Sequence, residues 1–269
     1  MRFDRASLLH VGPASGRRID AAARRRAAAG SVRARAGAVT TRALILAAGR
    51  GERMRPLSDA TPKPLLAVRG RPLIEWHLVA LARAGVREVV VNTAWLEDAI
   101  IAAIGDGARW GLALRYSMEG RDHGGALETA GGIAKALALL VDSPGDPFWL
   151  VSADIHAPGF EFDIRHVEAF AAAGGDAHLW LVPNPPYHAA GDFALGAAGR
   201  VTRDAPTRPW TYANIALCRA ALVDGVEPGQ RAPLGPLLFR AAQAGRVSGE
   251  VLATEWHNVG TPQDLAALG

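Results

Sequence analysis

The chain has 269 residues, of which 49% are hydrophobic, so it can build an ordinary buried core of one or two domains. Its single cysteine, Cys218, excludes an internal disulfide framework. It also lacks four Cys and His ligands at zinc-finger spacing. No apolar run approaches the ~18 residues that a membrane-spanning helix needs, so we expect no membrane partner.

The net charge of +4 comes from the first forty residues. They contain nine Arg and two acidic residues, whereas residues 41–269 contain 21 basic and 24 acidic residues. A nucleic-acid-binding protein needs its basic face on the folded part. We therefore expect no nucleic-acid partner.

Residues 1–40 are rich in Ala and Arg and hold few large apolar side chains. Such a segment cannot offset its ordering entropy by burial, so we expect a disordered extension followed by one domain at 41–269. A start codon assigned too far upstream, an organelle transit peptide and a functional basic arm remain alternatives. A secretory signal is excluded, because no apolar core of about 7–15 residues follows the charges.

Short apolar runs alternate with helical patterns from Thr41 to Asp154. Strands alternating with helices predict right-handed crossovers and a largely parallel sheet covered on both faces, an α/β protein. The spacing predicts strands at 43–47, 88–92, 112–117 and 148–152, and helices at 72–84, 97–104 and 129–140.

The regular alternation of strands and helices ends after Asp154. A glycine-containing hairpin is predicted at 193–202, and the second half of the chain adds a small antiparallel flap to the sheet. No internal repeat is visible. The remaining predicted elements are helices at 164–173 and 234–244 and strands at 177–182, 210–217 and 247–259.

A glycine-rich turn, Ala47–Gly51, follows the first predicted strand. Open α/β sheets bind ligands at this edge, and glycine loops turn backbone N–H groups toward phosphate oxygens. The turn lacks the Gly-Lys-Ser/Thr of a P-loop, and Met54 stands where a dinucleotide fingerprint needs a third glycine. What remains is a phosphate loop that carries its own arginines, Arg50, Arg53 and Arg55.

Lys63 lies between two prolines, eight residues after Arg55. The chain has two Lys against 28 Arg, so a retained lysine indicates a position where a compact ammonium matters. A solvated lysine in a proline turn is the alternative. Beside the arginine-bearing loop, we favour a phosphate contact.

These two segments resemble the signature of the sugar-1-phosphate nucleotidyltransferases. The first reads Leu-Ala-Ala-Gly-x-Gly-x-Arg-Met-x-Pro-Leu from Leu46, and Thr-Pro-Lys-Pro-Leu follows it. The resemblance extends from Thr41 to the end. It implies a Rossmann-like, mixed and mostly parallel sheet of the nucleotide-diphospho-sugar transferase fold. Further likeness lies in Pro72–Leu78, Asn92–Leu96, Leu127–Lys135 and Trp256–Thr261.

The resemblance also implies a cytoplasmic enzyme that transfers a nucleoside monophosphate from an NTP to a sugar-1-phosphate and releases pyrophosphate. It favours the branch that uses UTP and N-acetylmuramate-1-phosphate in cell-wall sugar recycling. Mannose-1-phosphate guanylyl transfer, another sugar-1-phosphate nucleotidyltransferase and a non-catalytic nucleotide-sugar-binding subunit are the alternatives. The sequence does not fix the oligomeric state.

Carried over by the resemblance, Arg53 and Lys63 are the catalytic residues. Arg53 and the loop backbone would hold the β- and γ-phosphates, and Lys63 would neutralise the α-phosphate. Thr129 is also a plausible helix cap, and Lys135 is expected to be solvated on the same helix. The nucleotide-binding residues are expected to be Ala47, Ala48, Gly49, Gly51, Glu52, Arg53, Lys63, Glu128 and Thr129.

The family's cofactor is Mg²⁺, which takes oxygen ligands. Its first ligand would be Asp154, where alanine replaces the glycine usual before the aspartate. Its second would be Asn258, where asparagine replaces the usual aspartate and removes a charge. His257 has no neighbouring His or Cys at zinc-ligand spacing, so we expect no zinc.

The family's sugar-binding region corresponds to residues 191–193 and 212–214. Asp192, Tyr212 and Asn214 are therefore expected to bind the sugar, although the muramate branch carries a small residue where Asn214 stands. The tryptophans nearest these strands are expected to pack in the core and sheet; they are Trp149, Trp180 and Trp210.

Overall fold

The computed structural model describes residues 41–269, and the predicted extension at residues 1–40 lies outside them. The described residues form thirteen strands: β1 Ala43–Leu46, β2 Ala67–Val68, β3 Arg71–Pro72, β4 Glu88–Thr93, β5 Ala113–Met118, β6 Phe148–Ser152, β7 Ile155–His156, β8 Ala177–Pro183, β9 Ala194–Leu195, β10 Val201–Thr202, β11 Trp210–Cys218, β12 Val247–Val251 and β13 His257–Asn258.

Eight α-helices accompany these strands between residues 41 and 269. The predicted helices are confirmed to within one residue at each end, and three short helices are additional. The helices are α1 Leu57–Ala60, α2 Leu73–Arg83, α3 Glu97–Ile104, α4 Glu119–His123, α5 Glu128–Leu140, α6 Ile164–Ala173, α7 Gly235–Gln243 and α8 Pro262–Ala267.

Seven strands form one mixed sheet in the order β12-β8-β11-β6-β1-β4-β5. Strands β6, β1, β4 and β5 pair in parallel, and β12 pairs in parallel with β8. Only β11 runs against its neighbours in this sheet. The predicted mixed, mostly parallel sheet is confirmed, and the separate antiparallel pieces are small, such as the predicted hairpin, which is β9 with β10.

One strand prediction is wrong at its end. The pattern at 247–259 predicts a single strand, but the structure has β12 and β13 with a gap between them. The partner strand β8 ends at Pro183, which has no N–H to continue a ladder. The chain therefore leaves the sheet after Val251, and His257–Asn258 pairs instead with β7.

The core lies on both faces of the sheet because successive strand residues alternate between them. Ile45 packs with α2 and α3 on one face, and Leu44 packs with α5 and α7 on the other. Trp149 and Trp180 are buried on the first face and Trp210 packs against the second, as predicted. No helix between residues 41 and 269 is long and apolar enough to cross a membrane.

Parallel strands bring their carboxyl ends to one edge of the sheet. Strands β1, β4, β5 and β6 end there, so the segments that follow them meet above that edge. This arrangement gathers motifs that are far apart in the sequence.

Candidate active site

Two adjoining cavities lie at this edge. The loop cavity, of about 500 Å³, is lined by the glycine loop after β1 and by residues at or just after the ends of β4, β5 and β6. The bulge cavity, named after the β-bulge in β11, has a volume of about 550 Å³. It is lined by β11, the residues before α7 and the segment around Asp192. Leu46, Glu128, Thr129 and Ser152 line both, so the cavities form one cleft.

The loop cavity collects the predicted nucleotide residues from three separate segments. Asp154 lines the same cavity, and Asn258 lines the neighbouring one. The structure thus brings together all nine, which are Ala47, Ala48, Gly49, Gly51, Glu52, Arg53, Lys63, Glu128 and Thr129.

The glycine loop depends on the backbone of Gly51. Its φ of 67° lies in the left-handed region, and a Cβ built there would lie 3.2 Å from the Cβ of Lys63. The Ser58 hydroxyl donates to the Gly51 carbonyl at 2.8 Å and holds the turn. Gly51 therefore lets the loop fold closely over Lys63.

The loop amides differ in their availability. The Ala47 N–H donates to Asn92 Oδ1 at 2.7 Å, so it is already engaged within the protein. The N–H groups of residues 48–51 donate to no protein acceptor among residues 41–269. The predicted phosphate cradle thus corresponds to residues 48–51, and Ala47 anchors its start.

The three loop arginines have different environments. Arg50 stacks on the Trp95 ring at 4.2 Å, and Arg55 pairs with Asp59 at 2.9 Å. Only Arg53 lines the cavity, where it lies beside Gly260: a Cβ on Gly260 would be 3.2 Å from an Arg53 Nη atom. The loop therefore presents one arginine to the cavity rather than three.

Lys63 meets Asp154 at the floor of the loop cavity. Its Nζ atom lies 2.7 Å from Asp154 Oδ2, and Lys63 as a whole is 8% exposed. The prolines on either side begin and shape the single turn Lys63–Leu65. The two residues that the sequence marks independently, the scarce lysine and the strand-end aspartate, form one ion pair.

Asp154 and Asn258 are brought together by strand pairing. Asn258 lies opposite Ile155 in the β7–β13 pair, and the Val259 N–H donates to the Asp154 carbonyl at 2.9 Å. Asn258 Oδ1 is buried and has no hydrogen-bond partner among residues 41–269. An orphaned amide oxygen beside a carboxylate is a donor set that suits Mg²⁺.

This donor set is small. No cluster of three His, Cys, Asp or Glu side chains that could hold a metal occurs between residues 41 and 269. His257 is exposed and lies 3.2 Å from Glu255 rather than in a cluster. A metal held here would take its other ligands from substrate phosphates and water.

His77 supports this region from below. Its Nε2 atom lies 2.8 Å from the Ile155 carbonyl, one residue beyond Asp154. Burial lowers the pKa of His77 to about 4. The ring is therefore neutral near pH 7, and its Nε2–H donates to Ile155.

Sequence reasoning missed a buried polar pair beside the loop. Asn92 Nδ2 donates to Glu119 Oε1 at 2.7 Å, and Glu119 Oε2 accepts from the Leu127 N–H at 2.7 Å. Burial raises the pKa of Glu119, although these hydrogen bonds oppose the rise. The available signal was a glutamate two residues after the strand predicted at 112–117, at the carboxyl edge of the sheet.

The start of α5 corrects two predictions. Thr129 does not cap the helix; the amides of Ala130 and Gly131 donate to the Ala232 carbonyl, at 3.0 and 3.1 Å. A Cβ on Gly131 would lie 2.2 Å from the Gln230 carbonyl oxygen, so glycine permits this approach. Lys135 is not solvated, because its ammonium donates to the Met118 carbonyl at 2.7 Å and pairs with Asp122.

Glu128 adopts a φ of 61°, which is uncommon for a residue other than glycine. Its carboxylate pairs with Arg231 at 3.1 Å, and the residue lines both cavities. Strained backbone of this kind is frequent at ligand sites. Glu128 therefore lies on the wall shared by the two cavities.

The predicted sugar residues line the bulge cavity but differ in availability. Asn214 lies in a β-bulge of β11 with a φ of 58°, and its side chain makes no hydrogen bond within residues 41–269. Asp192 Oδ2 accepts from the Tyr212 N–H and Oδ1 lies against His188 Nε2, each at 2.9 Å. Asp192 thus holds neighbouring protein groups, whereas Asn214 is available to a ligand.

Two tyrosines complete the bulge cavity. Burial raises the pKa of Tyr212 well above its usual value. Burial also raises the pKa of Tyr187, and the nearby Asn258 side chain partly offsets that rise. Both hydroxyls stay protonated at neutral pH and can act as neutral hydrogen-bonding groups.

Comparison with known proteins gives a consistent result. A family model described as Nucleotidyl transferase matches residues 42–203. An N-acetylmuramate alpha-1-phosphate uridylyltransferase from Neisseria meningitidis serogroup B is 45% identical and covers 82% of this chain and 93% of its own. A protein of the same name from Caulobacter vibrioides is 36% identical over 82% of this chain and 92% of its own.

A solved structure extends the likeness to the fold. The crystal structure of HddC from Yersinia pseudotuberculosis, complexed with GMP-PN, superposes with a TM-score of 0.66 at 17% identity. The match covers 85% of this chain and 97% of that one. At this identity the likeness concerns the fold alone.

Proposed function

The chain belongs to the nucleotidyl transferase family, and we propose that it transfers the uridylyl group of UTP to N-acetylmuramate-1-phosphate. Two curated relatives, 45% and 36% identical over 82% of this chain, carry that activity in their names. The observation that carries the proposal is the Lys63–Asp154 ion pair at 2.7 Å, set between a glycine loop and a second polar cavity.

The reaction needs no covalent enzyme intermediate. A phosphate oxygen of the sugar-1-phosphate attacks the α-phosphorus of UTP, the bond to the β-phosphate oxygen breaks, and pyrophosphate leaves. Catalysis of such transfers is mainly positioning and neutralisation of charge. The groups required are donors and cations around the triphosphate.

The loop cavity offers these groups. The N–H groups of residues 48–51, which have no acceptor among residues 41–269, and the Arg53 guanidinium would bind the β- and γ-phosphates. The Lys63 ammonium would neutralise charge on the α-phosphate in the transition state. Glu128 and Thr129 lie on the opposite wall, where the nucleoside would lie.

Asp154 and Asn258 would hold a divalent cation, and Mg²⁺ fits their oxygen donors. When bound, Mg²⁺ would neutralise and orient phosphate oxygens. Asn258 supplies an oxygen without a charge, so we expect weaker metal binding in the absence of nucleotide than two carboxylates would give.

The sugar would occupy the bulge cavity, with Asn214 and Tyr212 facing its hydroxyl or acetamido groups and Asp192 supporting the Tyr212 backbone. A reaction that consumes UTP would take place in the cytoplasm, and its product would suit cell-wall sugar recycling. We assign the activity to residues 41–269 and none of it to residues 1–40.

Pyrophosphate release by the purified chain with Mg²⁺ tests the proposal. UTP, GTP, CTP and dTTP would each be combined with N-acetylmuramate-, N-acetylglucosamine-, glucose- and mannose-1-phosphate. We expect the strongest signal with UTP and N-acetylmuramate-1-phosphate. If GTP and mannose-1-phosphate give the strongest signal, they replace UTP and N-acetylmuramate-1-phosphate as the assigned substrates. If folded protein that binds nucleotide releases no pyrophosphate with any pair, the enzymatic role is overturned.

A further inference from the structure

Three hydrogen bonds run in series across the back of the loop cavity. The Ala47 N–H donates to Asn92 Oδ1, Asn92 Nδ2 donates to Glu119 Oε1, and the Leu127 N–H donates to Glu119 Oε2, each at 2.7 Å. Ala47 begins the glycine loop, and Leu127 immediately precedes Glu128 and Thr129. The series therefore joins the two walls of the cavity.

The direction of these bonds restricts the side chains that can make them. Both ends of the series are backbone N–H groups, which can only donate. The Asn92 amide must accept from Ala47 and so can offer only its NH₂ group to Glu119. Glu119 consequently receives a donor at each oxygen, which an ionised carboxylate can accept and a side-chain amide cannot.

The pair has no room to rearrange. Asn92 is 2% exposed and Glu119 is 0% exposed. A Cβ on Gly132 of α5 would lie 2.6 Å from Glu119 Oε1 and 2.7 Å from Asn92 Nδ2, so the helix backbone closes over both side chains. A buried carboxylate is costly unless its oxygens are satisfied, and here both have partners.

We propose that Asn92 and Glu119 are a positioning pair that fixes the glycine loop relative to the turn before α5 and thereby sets the width of the nucleotide site. Neither residue needs to contact the reacting phosphates. The expected effect on UTP binding rests on the proposed function, because the site binds a nucleoside triphosphate only if that function is correct. The three hydrogen bonds that join the loop to this turn, called the lock below, are a property of the free protein.

Substitutions that reverse the donors and acceptors of this pair test its role. In E119Q the new NH₂ group faces either the Asn92 NH₂ or the Leu127 N–H, so one donor loses its acceptor. N92D places two carboxylates face to face. In the double variant N92D/E119Q, the carboxylate introduced at position 92 accepts from Ala47 and from the amide introduced at position 119. The oxygen of that amide accepts from Leu127, so every bond is restored with nearly unchanged shape.

E88Q is the matched control, because Glu88 lies at the opposite end of the strand that carries Asn92 and outside both cavities. Hydrogen–deuterium exchange of the Ala47 and Leu127 amides in the free protein reports the lock. The Kd for UTP with Mg²⁺ and the KM for the sugar phosphate report its consequence, all measured well below each variant's Tm.

We expect faster exchange at one or both amides in the single variants, with the Kd for UTP raised about tenfold or more in E119Q and the sugar-phosphate KM little changed. The double variant should recover both properties, and E88Q should match the parent. If a single variant does not fold, recovery of folding in the double variant supports the same polarity, and failure to recover overturns it.

Unchanged exchange at both amides in both single variants overturns the lock, and faster exchange with unchanged UTP affinity overturns its positioning role. Absence of nucleotide binding by the parent chain instead overturns the proposed function and the positioning role together, while the exchange data still decide the lock. Equal weakening of UTP and sugar-phosphate binding would indicate a general structural role and contradict the inference.

Discussion

The two cavities of the cleft are built in different ways. The loop cavity is formed at the ends of parallel strands, and charged side chains such as Arg53, Lys63 and Asp154 line it. The bulge cavity is formed by β11 and by segments from distant parts of the chain, and uncharged groups such as Tyr212 and Asn214 line much of it.

This difference separates two tasks. Phosphates need the same cations and N–H donors whatever the nucleoside or sugar, so their binding site can be built once into the sheet edge. Selecting one sugar depends on neutral hydrogen bonds from a few side chains. Changes in the loop cavity should therefore affect turnover, and changes in the bulge cavity should affect sugar affinity.

Lys63→Met should give the largest effect. The variant keeps the apolar stem but removes the ammonium that we assign to the α-phosphate, so kcat should fall by about 10²–10³-fold, the usual magnitude for a transition-state donor. Lys135→Met is the control, because it removes the other lysine, which binds Met118 and Asp122 instead. Steady-state kinetics with thermal unfolding curves provide the measurement, and an unaltered kcat in Lys63→Met would remove Lys63 from the mechanism.

His77, which contacts the Ile155 carbonyl next to Asp154, should make the free energy of unfolding depend on pH. Its folded pKa of about 4 lies below the ordinary value of 6.5, so the unfolded chain binds this proton first as the pH falls. The free energy of unfolding should therefore fall by about 3 kcal/mol between pH 6.5 and pH 4 on account of this residue.

Urea unfolding at several pH values tests this effect by comparison with His77→Gln. The variant should be less stable at pH 7 but should lose less of its remaining stability on acidification. Parallel pH profiles for the two proteins would show that another group is responsible.

Asn214→Gly should act on the sugar alone. Glycine accepts the φ of 58° without strain, so the variant removes the side chain and keeps the bulge, whereas alanine would add backbone cost. Loss of one hydrogen bond predicts a rise of about tenfold in the sugar-phosphate KM, with the KM for UTP unchanged. If both KM values rise together, the separation of the two cavities is wrong.

Much of the fold follows from the sequence because its elements are regular. Buried strands such as Phe148–Ser152 and amphipathic helices such as Leu73–Arg83 carry their periodicity within a few residues. The wrong strand prediction at 247–259 came from local apolar pattern alone. The end of β12 at Val251 depends on Pro183, which lies more than sixty residues earlier in the chain.

The site divides in the same way. The glycine loop and Lys63 belong to contiguous motifs whose chemistry can be read directly. Glu119 could not be recognised, because its importance depends on Asn92 and on the close approach of Gly132, and these are known only once the sheet is assembled. The engaged oxygens of Asp192 are likewise a property of the folded chain.

Asn258→Asp should have the smallest effect and addresses the proposed metal site, where Asp154 lines the loop cavity and Asn258 lines the bulge cavity. A second carboxylate beside Asp154 raises the charge of the donor set, and affinity for hard divalent cations rises with ligand charge. We expect the Mg²⁺ concentration that half-saturates UTP binding to fall by roughly three- to tenfold. Calorimetric titration of Mg²⁺ in the presence and absence of UTP measures this change.

The reciprocal variant D154N/N258D separates charge from position. It keeps one carboxylate and one amide but exchanges them, so Lys63 loses the ionic partner that lies 2.7 Å from it. If total charge alone determines metal affinity, this variant should bind Mg²⁺ as the parent does. If the Lys63–Asp154 pair also fixes the lysine, Mg²⁺ affinity should be retained while kcat falls, and the two roles of Asp154 are then distinguished by one comparison.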